Sequence, residues 1–212
     1  MSFADRLNKK FKIILASGSP RRKELMELAG LEFDIWPSEK EETVTSSVPR
    51  EICMELSRQK AEDVAASIRT YNDSHPDLVS PTDMLIIGAD TIVALEDTVF
   101  GKPKDEEDAK RMLKALSDHT HSVYTGVTLV FMSSGGRVGE HVFCEETKVT
   151  FCKLDEEDID SYVATGDPLD KAGSYGVQTS SAVFVRSIEG DFYNVMGLPI
   201  ARLMQELKMI VN

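Results

Sequence analysis

Long apolar runs are absent from this sequence of 212 residues. A membrane-spanning helix needs about 20 consecutive apolar residues, and no stretch of the chain comes near that length. The apolar stretch nearest the start, Ile13 to Ala16, has four residues and is too short for the apolar core of a signal peptide. The sequence therefore predicts a cytoplasmic protein with no membrane partner.

Cysteine is scarce as well. The three cysteines, Cys53, Cys144 and Cys152, form no Cys-x-x-Cys pair and no Cys/His spacing suited to zinc. A small, odd number of cysteines is typical of free thiols in a reducing compartment. We expect no disulfide and no structural zinc.

Positive charge is in short supply. The chain has 24 basic and 36 acidic side chains, a formal net charge of −12. Proteins that bind nucleic-acid polymers rely on a broad basic surface, so this balance argues against such a partner. It does not exclude a small anion, which needs only a local group of cations.

Strand-length and helix-length apolar patterns alternate along the chain. The predicted strands are 12–16, 33–36, 84–89, 122–132, 137–151 and 182–187, and 91–95 either continues the third or returns beside it. The predicted helices are 20–29, 49–67, 105–117, one after Asp155 and one from Pro199, with a surface loop at 70–82. The sequence Ser133-Ser134-Gly135-Gly136 is a hairpin signal between two long strands. The pattern predicts an α/β protein with a mixed sheet, in a single domain over 1–212.

The segment Ser17-Gly18-Ser19-Pro20-Arg21-Arg22 follows the first strand and opens a helix. Ser19 suits the N-cap and Pro20 the first helical position. Two arginines then fall in the first turn, where the helix dipole disfavours cations. Either an anion sits between them and the backbone N–H groups, as in a phosphate cradle, or the helix is simply capped and both arginines are solvated.

Lys60 interrupts an apolar stripe on the second long helix. Leu56, Lys60 and Val64 are four residues apart and share one face. A lysine in such a stripe extends its ammonium to solvent, pairs with an acid or points into a polar cleft. All three alternatives stay open from the sequence.

Asp90 ends a buried strand in Gly88-Ala89-Asp90-Thr91. Ligands of open α/β sheets bind at the carboxyl ends of strands, where an aspartate can hold Mg²⁺ or accept a proton from water. The alternative is a turn aspartate that caps nearby backbone. Glu41 and Glu42 follow a predicted strand, and either bind a metal or belong to a solvated loop.

Two further segments carry weaker signals. Gly101-Lys102-Pro103 is a tight turn that presents one lysine. The segment 167–178 is a loop of glycines, charges and one tyrosine before a strand, and loops of this kind often carry function. Packed turns would explain it almost as well.

With these segments in order, the chain resembles the Maf family of nucleoside triphosphate pyrophosphatases. The resemblance runs nearly end to end. It rests on Ile14-Leu15-Ala16-Ser17-Gly18-Ser19-Pro20-Arg21-Arg22, Gln59-Lys60-Ala61, Gly88-Ala89-Asp90-Thr91, Gly101-Lys102-Pro103, Tyr124-Thr125-Gly126-Val127, Asp170-Lys171-Ala172-Gly173 and Asn194-Val195-Met196-Gly197-Leu198-Pro199. Glu55 departs from the pattern, because many members carry a basic residue there, and Thr179 follows Gln178 where many have glycine.

The resemblance implies a central twisted mixed sheet flanked by helices, with a cleft between two lobes as in Maf and ITPase-like proteins. It implies hydrolysis of a nucleoside triphosphate to the monophosphate and pyrophosphate with a divalent cation, Mg²⁺ or Mn²⁺. It also suggests a homodimer and a role in removing unwanted nucleotides from the pool.

The same resemblance assigns roles to individual positions. Asp90 matches the proton acceptor, and Glu42 an acidic residue beside the metal, so that Glu42 and Asp90 form the expected metal site. The positions that match the lining of the triphosphate pocket are Ser17, Arg22, Lys60 and Lys102. The positions that match residues associated with substrate choice are Arg21, Thr91 and Gln178, and their identities resemble the branch that prefers dTTP and UTP.

Two rival functions remain. A non-catalytic nucleotide-binding regulator of cell division would bind nucleotide without releasing pyrophosphate, and a phosphatase would release orthophosphate first. Product analysis with and without EDTA separates all three.

Overall fold

The structure is a computed structural model that describes residues 1–75, 82–96, 98–133 and 136–211. The chain forms two compact units, and each is assembled from separate stretches of sequence. The first consists of Met1–Asp90, Gly126–Cys144 and Ile200–Asn212, and the second of Thr91–Thr125 and Glu145–Pro199.

Helices and strands alternate along the chain, as the sequence predicts. The α-helices are α1 (Phe3–Lys10), α2 (Pro20–Leu28), α3 (Pro49–Ser74), α4 (Glu106–Leu116), α5 (Glu156–Val163), α6 (Phe192–Met196) and α7 (Ile200–Val211). The strands are β1 (Phe11–Leu15), β2 (Phe33–Ile35), β3 (Asp83–Leu95), β4 (Thr98–Phe100), β5 (Thr120–Ser133), β6 (Gly136–Phe151) and β7 (Val185–Glu189). Short 3₁₀ helices lie at Asp167–Asp170, Ala172–Ser174 and Ser180–Phe184.

The strands form one mixed sheet. Their order is β2-β1-β3-β5-β6-β7, and β4 pairs with β3. Strand β1 is parallel to both β2 and β3, whereas β3–β4 and β6–β7 are antiparallel pairs. The predicted mixed α/β sheet is therefore confirmed, and 91–95 continues β3 rather than returning beside it. Asp90 consequently lies within β3, so the predictions that it ends a strand or caps a turn are wrong.

In the first unit, α3 packs tightly on the sheet. Its buried residues share an apolar cluster with residues of β1, β3 and β5, among them Ile14, Ile86 and Val130. Glycine lets the backbones meet, because a Cβ at Gly88 would lie 2.4 Å from the Ser57 carbonyl oxygen and one at Gly126 would lie 2.2 Å from that of Cys53. The helix that carries Lys60 is thus held against the strand that carries Asp90.

In the second unit, α4 and α5 cover an aromatic-rich core. The fully buried Phe151 lies in a cluster with Leu113 of α4 and Ile159 of α5. Tyr175 contacts Phe151 edge to face, with 4.8 Å between ring centroids. The segment 167–178 is therefore fixed to this core, as the packed-turn alternative requires.

Helix α3 corrects one prediction, since it runs to Ser74 where the sequence predicts a loop from residue 70. Ile68 is buried in the cluster beneath α3 and carries the helix past residue 67. Side chains of Thr70 and Ser74 donate to carbonyls one turn back, and Tyr71 and His75 stack 4.5 Å apart. These local contacts keep the polar last turns helical, and the remainder of the predicted loop, 76–81, lies outside the described residues.

Other differences concern short elements. The sequence prediction missed α1, although Ser2 and Asp5 form a capping box at its start, and it missed α6. The strand predicted at 182–187 begins only at Val185, because Ser180–Phe184 is a 3₁₀ helix. Strands β5 and β6 are neighbours as the hairpin signal requires, while Ser134 and Gly135 lie outside the described residues.

Cys53, Cys144 and Cys152 form no disulfide, and the sulfur atoms of Cys53 and Cys144 lie in hydrogen-bond contact at 3.3 Å. In the described parts of the chain, no helix combines the length and apolar character needed to cross a membrane.

Candidate active site

The loop between β1 and α2 places a serine beside a buried arginine. Ser19 occupies the N-cap of α2 and Pro20 the first helical position, as predicted, but the Ser19 side chain makes no capping bond. Instead the Ser17 hydroxyl accepts from the Ser19 N–H at 3.3 Å and from Arg22 Nη1 at 3.0 Å. Ser17 therefore fixes both the turn and the guanidinium.

Arg22 is the more informative of the two arginines. It is only 9% exposed, which rules out the alternative of two solvated arginines. Burial lowers the pKa of the Arg22 guanidinium from its ordinary value, and the negative charge of Asp90 opposes that shift. A buried cation at a helix start with an acid nearby is suited to an anionic ligand. Arg21 is half-buried.

Lys60 lies between two carboxylates. Its Nζ is 2.9 Å from Glu42 Oε1 and donates to Asp90 Oδ1. The side chains of Lys60 and Asp90 are mostly buried, with 16% and 12% exposed, whereas that of Glu42 is half-exposed. Of the three alternatives for Lys60, the structure selects pairing with acids.

Small residues explain why Lys60 reaches Asp90. Gly88 lies two positions before Asp90 on β3, where a Cβ would also lie 2.9 Å from the Ala61 side chain. The helix backbone around Ala61 can therefore lie directly on the strand. The glycine and alanine before Asp90 are visible in the sequence, but the sequence does not show which helix packs against them.

In the second unit, a chain of hydroxyl groups holds Thr91. Thr91 Oγ1 lies 2.9 Å from Thr125 Oγ1, and the Thr125 hydroxyl donates to the Asn194 carbonyl oxygen at 3.0 Å. Because its only hydrogen goes to that carbonyl, Thr125 can only accept from Thr91. These hydrogen bonds join the motifs that contain Thr91, Thr125 and Asn194, which lie far apart in the sequence.

The other two candidates of this unit are exposed. Lys102 lies in the turn after β4, where the preceding Gly101 carbonyl accepts from the Gly173 N–H at 3.0 Å. Gln178 lies before the 3₁₀ helix Ser180–Phe184 and is also exposed. Both side chains are accessible to a ligand.

Lys171, in the Asp-Lys-Ala-Gly motif, has a structural role. It is only 6% exposed, and its Nζ contacts Asp167 Oδ1 at 2.9 Å and Asp170 Oδ1 at 2.7 Å. This ammonium ties together the turn 167–170 and contributes no accessible charge.

Sequence reasoning missed a row of polar residues on α3. The positions Glu51, Glu55, Gln59 and Asp63 each hydrogen-bond to the segment before the helix. Their spacing of four residues places them on one face. That spacing is readable in the sequence, but their partners are not.

Comparison with known proteins gives the family. A family profile described as "Maf-like protein" matches residues 12–210. The dTTP/UTP pyrophosphatase of Agathobacter rectalis is 59% identical over 93% of this chain and 97% of its own length, and that of Bacillus cereus is 51% identical over 93% and 94%. Among solved structures, a HAM1 protein from Coxiella burnetii aligns with 94% of this chain and 99% of its own, at a TM-score of 0.48 and 14% identity. On the match of the profile and of these relatives, the chain belongs to the Maf family.

Proposed function

We propose that this protein hydrolyses dTTP and UTP to the nucleoside monophosphate and pyrophosphate. The observation that carries the proposal is the cluster in which Lys60 contacts Glu42 and Asp90. The buried Arg22 interacts electrostatically with Asp90 of the same cluster. The names of the two pyrophosphatase relatives support the same substrates. The proposal includes a role in removing unwanted pyrimidine triphosphates, modified ones among them, from the nucleotide pool.

The cluster fits a hard divalent cation. Glu42 and Asp90 both bring carboxylate oxygens to the Lys60 ammonium, and carboxylate oxygens are the ligands that hard divalent cations take. Mg²⁺ is commonly bound through one or two carboxylates with the remaining positions filled by phosphate and water, so a set of two suffices. No larger group of metal-ligating side chains occurs within the described residues. When bound, the cation neutralises phosphate charge and lowers the pKa of water.

The chain's own residues supply the rest of the chemistry. Asp90 accepts the proton of the attacking water, whose oxygen forms a bond to the α-phosphorus. The bond from that phosphorus to the bridging oxygen breaks, and pyrophosphate leaves. Phosphoryl transfer of this kind depends mainly on positioning and charge neutralisation.

Cationic side chains hold the triphosphate. Arg22, fixed by Ser17, donates to phosphate oxygens, as does Lys60, and the resemblance assigns the same role to Lys102. The resemblance associates Arg21, Thr91 and Gln178 with substrate choice, and their identities support the preference for dTTP and UTP. The expectation of a homodimer rests on the resemblance alone, and that of a cytoplasmic location rests on the lack of long apolar runs and on the few cysteines.

The experiment is product analysis with the purified protein. Incubation with dTTP, UTP, CTP and ATP and Mg²⁺ is expected to give the monophosphate and pyrophosphate from dTTP and UTP, and EDTA is expected to abolish turnover. Orthophosphate as the first product would establish the phosphatase alternative. Nucleotide binding without turnover would establish the regulator.

Replacing Asp90 tests the assignment of the proton acceptor. Asp90→Asn keeps the shape of the side chain but removes the negative charge, so both the acceptor and the cation site are lost. We expect kcat to fall by at least about a hundredfold. An exposed control, Asp73→Asn on α3, should leave kcat unchanged. Near-normal turnover of a folded Asp90→Asn variant would show the assignment to be wrong.

A further inference from the structure

The segment 38–46, here called the strap, bears Glu42 but has no core of its own. It contains no regular secondary structure, and none of its residues is buried. The backbone hydrogen bonds found between described residues outside helices and strands include none from the strap. Its position must therefore depend on side chains.

Helix α3 supplies those side chains in a regular row. At one end, Asp63 accepts from the Ser38 hydroxyl at 2.7 Å and the Glu39 N–H at 3.2 Å. At the other end, Glu51 accepts from the Ser46 hydroxyl at 2.6 Å. Between them lie Gln59 and Glu55, so the strap runs antiparallel to the helix with one attachment in each turn.

The Gln59 attachment is the one next to Glu42. Gln59 Oε1 accepts from the Thr43 N–H at 3.0 Å, and Gln59 Nε2 donates to the Thr43 carbonyl oxygen at 2.6 Å. Both backbone polar groups of the residue after Glu42 are thus held by the residue before Lys60. The Glu42–Lys60 ion pair at 2.9 Å lies directly beside this bidentate contact.

Glu55 adds a second attachment. Its two carboxylate oxygens accept from the Thr45 N–H at 2.9 Å and the Thr45 hydroxyl at 2.8 Å. These bonds lower the pKa of Glu55 from its ordinary value.

We propose that Gln59, assisted by Glu55, is a positioning residue that holds Glu42 against Lys60 and beside Asp90. The inference rests on the proposed function, because Glu42 takes part in catalysis only if the cluster is the active site. The attachment itself can be tested independently of turnover. Without Gln59, the peptide after Glu42 has no fixed orientation and the carboxylate leaves the cluster.

The first test is amide hydrogen exchange measured by NMR on the full-length protein. In the wild type, the N–H groups of Thr43 and Thr45 should exchange slowly, despite lying in an exposed segment. Gln59→Met should remove protection at Thr43, and Glu55→Met should remove it at Thr45. Gln205→Met, a matched change at an exposed position of α7, should alter neither. Unprotected Thr43 in the wild type would overturn the proposal.

The second test measures the surroundings of the Lys60 ammonium by NMR and does not depend on enzymatic activity. The Cε–Hε signal of the Lys60 side chain reports the charge of Glu42 beside its ammonium. Glu42→Gln should shift this signal, and Gln59→Met should shift it in the same direction. A shift with Glu42→Gln but none with Gln59→Met would show that Glu42 keeps its place without Gln59, and the proposal would be wrong.

The third test is a double-mutant cycle on dTTP hydrolysis. Misplacement by about 1 Å can cost a hundredfold in rate, so Gln59→Met should lower kcat by about ten- to a hundredfold with little change in KM. In the Glu42→Gln background it should have no further effect, because Gln59 acts through Glu42. If the double variant instead lost kcat by the product of the two single fold-decreases, Gln59 would act independently of Glu42 and the proposal would be wrong. An inactive wild type with the exchange and Lys60 results as expected would refute the proposed function and leave the attachment established.

Discussion

At the scale of single residues, His121 is a buried ring that the mechanism does not use. It is 2% exposed, and it meets Phe151 and Tyr175 edge to face. Its Nε2 lies 2.8 Å from the Tyr175 hydroxyl, while Nδ1 has no hydrogen-bond partner within the described residues. Burial lowers the pKa of His121 from 6.5 to about 4, so the ring is neutral in the folded protein.

This lowered pKa makes the stability depend on pH. Between pH 4 and 6.5 the unfolded chain binds a proton at this position and the folded chain does not, so stability rises with pH across that window and is lost on acidification. Between pH 7 and pH 5 the contribution to the free energy of unfolding is about 2 kcal/mol. In urea unfolding at pH 7 and at pH 5, the free energy of unfolding should decrease less on acidification for His121→Phe than for the wild type. The difference between the two decreases should be about 2 kcal/mol.

An exposed histidine provides the control for this prediction. His119 lies at the surface, and His119→Gln should keep the pH dependence of the wild type. If His121→Phe lost as much stability as the wild type on acidification, the histidine would not be the group responsible.

At the scale of elements, the contact of α3 with the sheet depends on glycine. A side chain at Gly88 would collide with the Ser57 carbonyl, and one at Gly126 with that of Cys53. Both obstacles are backbone atoms of the helix, so the helix itself would have to move. The same contact places Lys60 beside Asp90, and packing and site geometry therefore depend on the same two glycines.

Gly88→Ala should accordingly destabilise the protein. Overpacking of a filled interior costs about 1–3 kcal/mol, occasionally more, and the contact with backbone puts this variant at the upper end. Gly139→Ala in β6 is the matched control, since its Cβ would meet nothing closer than 4.0 Å. That variant should change the free energy of unfolding by less than about 0.5 kcal/mol. Equal stability of the two variants in urea would contradict the packing argument.

At the scale of the whole molecule, neither unit is a continuous piece of chain. The first needs three stretches of sequence and the second needs two. The apolar cluster beneath α3 includes Val130 and Met132, which lie more than 40 residues beyond Ile86, the last of its other members in the sequence. Strand β1 pairs with β3, and β3 has β5 as its other neighbour in the sheet order.

A fragment of residues 1–95 should therefore not fold by itself. It contains α1 to α3 and β1 to β3, but it lacks β5 and α7, and its cluster would remain open on one side. We expect weak chemical-shift dispersion in its amide NMR spectrum, in contrast to the full chain. A well-dispersed spectrum with a cooperative thermal transition would show that the later stretches are dispensable.

The sequence predicts the parts of this molecule whose signals are local. The start of α2 at Pro20, the buried strand that carries Asp90 and the mixed sheet all follow from short patterns. Lys60 is recognisable as unusual within its apolar stripe, but its pairing with Asp90 depends on a packing of α3 on β3 that only the fold supplies. The polar residues after position 67 predict a loop. The prediction is wrong because the burial of Ile68 and the stacking of Tyr71 on His75, which keep this segment helical, are not visible in composition.

Attachment of the strap by side chains alone has a consequence for how such a protein can diverge. Since no strap residue belongs to the interior, its length and composition can change without disturbing the folding of the rest. The strap must only keep donors and acceptors that pair with the polar side chains along one face of α3. The carboxylate of Glu42, a cation ligand in the proposed function, can thus be moved, exchanged or lost through a few surface substitutions, so that the site and the folding of the chain can evolve separately.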